Sequence, residues 1–153
     1  MAYALRDNGF GHIDTIEFEK THIERSQERL NKLNLREFVT IHHISSLDFQ
    51  PSGTYEFMLA DTELHLRFHE LVKFFPNLDE GGYIFVHDMP RNLCQGNINP
   101  DHPDYKHWPV GTLPPEFNQL LKERKLIAFH FGSARGLVGY YRPHKDDYAG
   151  FNS

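Results

Sequence analysis

The chain has 153 residues, of which 39% are hydrophobic and 24% charged, with a formal net charge of −5. That length suits one compact domain, and the acidic balance leaves no basic footprint for nucleic acid. No apolar run approaches the ~20 residues of a membrane span, and no basic start followed by an apolar core marks a secretory signal.

The single Cys94 rules out an internal disulfide and fits a reducing, cytoplasmic compartment. There are 11 histidines, but no HExxH and no cysteine pair, so a zinc site is not indicated.

Residues 2–8 (AYALRDN) read as the last turns of a helix, stopped by Gly9 and Gly11. "HIDTIEFE" (12–19) is rich in β-formers and reads as a strand. "THIERSQERLNKLNL" (21–35) reads as a helix. Thr21 and Glu24 have capping-box spacing, Ile23, Leu30 and Leu33 give one apolar face, and Glu28 and Lys32 form an i,i+4 pair. "FVTIHHIS" (38–45) is a strand. The apolar run in "EFMLAD" (56–61) predicts a strand buried on both faces. Leu64, Phe68, Leu71, Val72 and Phe75 sit at helical spacing, and Pro76 stops that helix. "DEGG" (79–82) reads as a turn into a second buried strand, "YIFVHD" (83–88).

The segment 89–113 holds Pro90, Pro100, Pro103 and Pro109 and has no periodicity. It is either a substrate lid with Tyr105, His107 and Trp108 as contacts, or an insertion. The lid is favoured because the segment directly follows an acid at a strand end. "PPEFNQLLKERK" (114–125) opens a helix on prolines. "LIAFHF" and "LVGYYRP" around "GSARG" predict an antiparallel hairpin, and the polar tail 143–153 is expected to be loose. The alternation of strands and helices predicts one layered α/β domain over residues 1–142, with a mainly parallel sheet and an antiparallel member at one edge.

The pair Gly9-Phe10-Gly11 invites comparison with a dinucleotide loop. In such a loop the glycines follow a strand and open a helix, whose N–H groups hold phosphate. Here they follow a helix and precede a strand, where the helix end carries negative partial charge, so they read as a stop and a turn. Glu17 and Glu19 lie near the C-terminal end of the first strand, where open α/β sheets bind ligands. An acid there accepts hydrogen bonds from ribose hydroxyls; the alternative, equally open, is a solvated or helix-capping acid.

The run "TIEFEKTHIERSQERLNKLNL", "VTIHHISSLDF" and "YEFMLADTELHLRFHELVKFFPNLDEGGYIFVHD" resembles class I S-adenosylmethionine-dependent methyltransferases, nearest to the small-molecule O-methyltransferase branch that includes the catechol type. The resemblance extends over residues 2–142. It implies a three-layer Rossmann-like sheet, mostly parallel with an antiparallel C-terminal hairpin, and the cofactor S-adenosylmethionine. It implies cofactor binding by Glu17 at the ribose, by Ser45, Ser46 and Leu47 at the adenine, and by Asp61. It implies catalytic roles for Asp61, His87 and Asp88. In metal-dependent members the acids in the places of Asp61 and Asp88 hold a divalent cation such as Mg. The third ligand place is Met89 here, a poor ligand for a hard cation, for which His87 or a water substitutes.

The family's first strand and glycine-rich loop are missing from the chain. That strand is normally central, and an unpaired buried backbone group costs about 1–3 kcal/mol. Two outcomes are expected: strand 12–19 pairs directly with 56–61, or another chain supplies the strand, through a homo-oligomer or a split partner. The function implied is methyl transfer to a small hydroxylated substrate by a truncated domain, with His87 or Asp88 as base where no cation serves. The alternative is a non-catalytic methyltransferase-like subunit or scaffold that does not bind the cofactor. A metal-dependent hydrolase using Asp61, His87 and Asp88 ranks last, since a second ligand cluster is lacking.

Overall fold

The computed structural model describes residues 1–88, 114–131 and 136–148, apart from the side chains of Leu64 and His65. The expected lid, 89–113, and with it Met89 and Cys94, lies outside the described residues. The chain forms two compact units, Met1–Gln50 and Pro51–Ser153. Among the described residues no helix is long and apolar enough to cross a membrane.

The first unit begins with helix α1 (Ala2–Asn8). Gly9 ends it as expected, at φ 77°, in the left-handed region that glycine enters without a Cβ clash. Its N–H donates to the carbonyls of Leu5 (2.9 Å) and Arg6 (3.2 Å). Strands β1 (Ile13–Glu17) and β2 (Val39–His43) pair in parallel, from Ile13 opposite Val39 to Glu17 opposite His43.

Helix α2 (Lys20–Lys32) joins them. Its N-cap is Glu19 and no side chain caps it, so the capping box expected at Thr21 and Glu24 does not form. The chain turns into the helix earlier, where the Glu17 carboxylate accepts the Glu19 N–H at 2.8 Å. The helix also ends before the expected Leu35. Asn34 is left-handed at φ 54°, the Leu35 N–H reaches the Leu30 carbonyl at 2.9 Å, and the Asn34 N–H reaches that of Asn31 at 3.2 Å. This is a Schellman end. It turns Leu35 inward, to be buried as Ile23 and Val39 are.

The second unit holds β3 (Tyr55–Ala60), α3 (Leu64–Phe74), β4 (Leu78–His87), α4 (Pro115–Lys122), β5 (Ile127–Phe131) and β6 (Leu137–Tyr141). The sheet order is β3-β4-β6-β5. β3 and β4 are parallel, and the expected hairpin of β5 and β6 joins β4 through antiparallel β6. "DEGG" is not a turn. It continues β4 through a register shift in the β3 ladder. On its other side Gly81 donates to the Arg142 carbonyl (2.7 Å), and the Arg142 N–H donates to Gly82 (3.0 Å). Of the tail, residues 143–148 are described and are ordered rather than loose: Lys145–Tyr148 is a 3-10 turn, and Asp147 accepts from the Tyr141 hydroxyl at 2.9 Å and the His144 N–H at 2.8 Å.

One sheet face is the core. Ile84, Val86, Val138 and Tyr140 are buried there with Phe68 and Leu71 of α3 and Phe117 of α4. The opposite face was expected to be buried too, but it is open. Phe57 is 43% exposed, Leu59 55%, Tyr83 40% and Phe131 44%, and rings at 57, 85, 129 and 131 touch along it. Both strands are apolar on both faces, as the sequence suggested, while α3 and α4 pack on one. Gly139, on β6, makes this face possible: a Cβ there would meet the Phe129 ring at 2.1 Å.

Helix α4 ends as α2 does, with Arg124 at φ 53° and the Lys125 N–H on the Leu120 carbonyl at 2.9 Å. A side chain in that conformation costs roughly 1–2 kcal/mol that glycine avoids. Arg124→Gly is therefore expected to stabilise the protein by about 1 kcal/mol, net of the extra chain entropy of glycine. A urea midpoint no higher than wild type would refute this.

Candidate active site

The parallel register places Ala60 opposite Val86. The next residue on each strand, Asp61 and His87, therefore emerge side by side at one end of the ladder, and Asp88 follows. A ligand atom from each of Asp61, His87 and Asp88 lies within 4.8 Å of the other two. His87 Nδ1 is 3.0 Å from Asp61 Oδ1 and 3.4 Å from Asp88 Oδ2. A carboxylate only accepts, so Nδ1 carries the hydrogen of the bond to Asp61 and the neutral ring has its lone pair on Nε2. Asp88 is left-handed at φ 53°, a conformation that Asp tolerates better than most residues. The side chains grade from outside to inside, with 57% of Asp61, 38% of His87 and 24% of Asp88 exposed.

Two buried charges on α3 lie behind this cluster. Arg67, 5% exposed, donates from Nε to the Thr62 carbonyl (2.7 Å) and from Nη1 to the His87 carbonyl. Its Nη2 is 3.7 Å from Asp61 Oδ1. Glu70, 3% exposed, accepts from the Thr62 hydroxyl at 2.5 Å. Neither residue was singled out in the sequence. The available signal was two charges at i,i+3 spacing, each directly preceding a residue of the helix's apolar stripe, Phe68 and Leu71.

The expected cofactor residues Glu17, Ser45, Ser46 and Leu47 belong to the first unit. Glu17 is the last residue of β1, and Ser45, Ser46 and Leu47 follow the C-terminal end of β2. Ser45 Oγ accepts the Leu47 N–H (3.2 Å), and the Ser45 carbonyl accepts those of Asp48 and Phe49 (both 3.0 Å), so these residues form a tight turn after β2. Besides holding the Glu19 N–H, Glu17 has Oε2 at 3.3 Å from His22 Nδ1. The pair Asp14 and His42 sits on the same ladder, with Asp14 Oδ1 at 2.6 Å from His42 Nε2.

The Glu19 N–H is the main cause that holds the Glu17 carboxyl below its ordinary 4.5, against an opposing effect of burial and with smaller help from Phe18 N–H and His22. A folded-state value below the unfolded one means stability that is present above the unfolded value and lost as the pH falls through the folded one. Glu17→Gln is expected to flatten this acid loss. Urea midpoints at about pH 6 and about pH 3 check it: an unchanged difference between the two would count against the hydrogen bond.

No protein-family model matches the chain, and no curated protein matches it by sequence. Solved structures match by fold. The O-methyltransferase TomG of Streptomyces achromogenes, solved with SAM, superposes with a TM-score of 0.66 at 18% identity, over 88% of this chain and 63% of that one. An O-methyltransferase of Bacillus cereus, solved with SAH, gives 0.66 at 14%, over 85% and 62%. The SAH-bound methyltransferase PaMTH1 of Podospora anserina gives 0.63 at 15%, over 87% and 61%.

The chain has the class I methyltransferase fold. At these identities the match is one of fold, and the chain spans about three-fifths of the length of the structures that it matches. Within the methyltransferase fold the observed α/β arrangement, with parallel β1–β2 and β3–β4 pairs and an antiparallel closing hairpin, agrees with the architecture expected from the sequence. Among the described residues β1 has one ladder, with β2, and β3 has one, with β4.

Proposed function

We propose that this protein is part of an S-adenosylmethionine-dependent methyltransferase acting on a hydroxyl of a small molecule. The observation that carries the reading is the convergence of Asp61, His87 and Asp88 at the C-terminal ends of two parallel strands, in a chain with the methyltransferase fold. In open α/β sheets that end is where ligands bind.

Methyl transfer to oxygen needs an acceptor aligned with the sulfonium methyl and relieved of its proton. Alignment alone supplies a large part of such a rate, and a placed base adds about 10²–10⁴-fold. Asp61 fixes the His87 tautomer and leaves Nε2 to take the acceptor proton. Asp88, 3.4 Å from the same ring, then stabilises the imidazolium. On this reading Glu17, Ser45, Ser46 and Leu47 bind the nucleoside, and Asp61 is a cofactor-binding as well as a catalytic residue.

The two carboxylates and the imidazole also fit a divalent cation, because each offers one donor atom within 4.8 Å of the others. One nitrogen and two oxygens suit Mn²⁺ or Fe²⁺ better than Mg²⁺. When bound, such an ion lowers the pKa of a coordinated acceptor hydroxyl. It requires His87 Nδ1 without its hydrogen, so the ion and the Asp61–His87 hydrogen bond are alternatives.

The chain's share of its fold relatives, about three-fifths of their length, supports reading it as part of a larger methyltransferase domain. A non-catalytic subunit is the second reading. The open aromatic face of the second unit favours it, because exposed apolar patches mark interaction surfaces. Calorimetric titration of the chain with S-adenosylhomocysteine separates the two. Saturable binding that weakens in Glu17→Ala supports the enzyme, and no heat at millimolar ligand supports the subunit.

A further inference from the structure

Among the described residues of the second unit, Arg67 is the one arginine whose guanidinium reaches both strand ends of the candidate site. Its Nε bonds the carbonyl of Thr62, one residue past Asp61, and its Nη1 bonds the carbonyl of His87 itself. Its Nη2 stands 3.7 Å from Asp61. Glu70, one turn along α3, ties the Thr62 side chain to the same helix at 2.5 Å. Three atoms of one short segment after β3 and one at the end of β4 are thus referred to a single buried helix face.

We propose that Arg67 is a positioning residue that sets the spacing of Asp61, His87 and Asp88. The assignment rests on the reading of that cluster as the acceptor side of a methyltransferase site. The geometry explains why arginine is needed. A planar fork bonds two carbonyls in fixed directions at once, whereas a lysine ammonium is a point charge on a flexible stem. Main-chain carbonyls are the right handle, since holding them fixes the backbone from which Asp61 and His87 project. Asp88, left-handed and next in the chain, inherits its direction from His87. Arg67 has no need to touch a substrate for this role. Burial at 5% exposure keeps it from doing so.

A rival role is purely electrostatic, with Arg67 as a counter-charge to Asp61. The two roles predict opposite outcomes for cation binding. A positioning fork, once lost, loosens the three donors and weakens binding, whatever charge replaces it. A counter-charge, once lost, leaves Asp61 more attractive to a cation.

The test uses the full chain with Arg67→Lys, Arg67→Met and the control Arg142→Lys. Arg142 is another arginine of the same unit that bonds main-chain carbonyls, those of Phe75 and Leu78 through its Nη1, with its guanidinium over the Phe75 ring, and it is remote in sequence from the cluster. The readouts are the ring ¹⁵N shifts of His87 at one fixed pH and the affinity for Mn²⁺ by electron paramagnetic resonance. Both Arg67 variants are expected to move the His87 signals and to weaken Mn²⁺ about 10–100-fold, the range seen when groups behind metal ligands are changed. Arg142→Lys is expected to leave both alone.

Wild-type His87 signals in Arg67→Lys, an equal displacement in Arg142→Lys, or tighter Mn²⁺ in Arg67→Met would each overturn the proposal. If the wild-type chain takes up no Mn²⁺, the cation part of the proposed function fails, and the His87 signals alone decide the role of Arg67. A measurement without any variant guards against misfolding. In the wild type the Arg67 Nε–H is expected to exchange slowly and to show hydrogen-bond scalar coupling to the Thr62 carbonyl carbon. A fast-exchanging side chain without that coupling overturns the assignment equally.

Discussion

Phe117→Ala is expected to destabilise the second unit by about 3–5 kcal/mol, the usual cost of emptying a large aromatic site in a core. Phe117 is fully buried. Its ring lies 4.7 Å from that of Phe68 on α3 and meets Tyr140 of β6 edge-on at 5.8 Å. It therefore bonds three elements that are far apart in sequence. Short α4, with eight residues, has no way to form on its own propensity, since helices of that length are marginal without packing. Against a typical net stability of ~5–15 kcal/mol, the loss takes a large share. Urea denaturation followed by far-ultraviolet circular dichroism measures it. A loss below about 1 kcal/mol would mean that α4 does not hold its place through this ring.

Asp88→Asn is the corresponding change at the candidate site. Asparagine keeps the shape and tolerates the left-handed backbone at φ 53°, so the substitution removes charge and little else. Asp88 is the least exposed of the three donors, at 24%, where a carboxylate's charge is least screened. Mn²⁺ affinity is expected to fall about 100-fold or more, beyond the ~10–100-fold effect of groups that only support a ligand. Asp61→Asn is expected to act in the same direction and, in addition, to free the His87 ring from its fixed tautomer, because the amide offers a donor as well as an acceptor. Calorimetry with Mn²⁺ checks both. An unchanged affinity in Asp88→Asn would remove the cation from the proposed site and leave the Asp61–His87 pair as the only candidate base.

The sequence by itself determined the order and type of the described elements. Apolar spacing at 64, 68, 71, 72 and 75 specified α3, and β-rich runs specified β1 to β6, because periodicity reports which side chains share a face. Gly9 was legible as a stop for the same local reason. Asp61, His87 and Asp88 were legible because they end strands, and parallel strands in register bring their ends together. Only tertiary structure decided the rest. The ends of α2 and α4 are set by Asn34 and Arg124 turning left-handed, a choice stabilised by packing of the residues that follow. "DEGG" became strand because Arg142, 60 residues later, pairs with it. Which face of β3 and β4 is covered depends on where α3 and α4 dock, and two strands apolar on both sides carry no local record of that. Arg67 and Glu70 escaped notice because a charge on a helix is ordinarily solvated. Its burial is explained only by the carbonyls and hydroxyl that the folded chain carries to it.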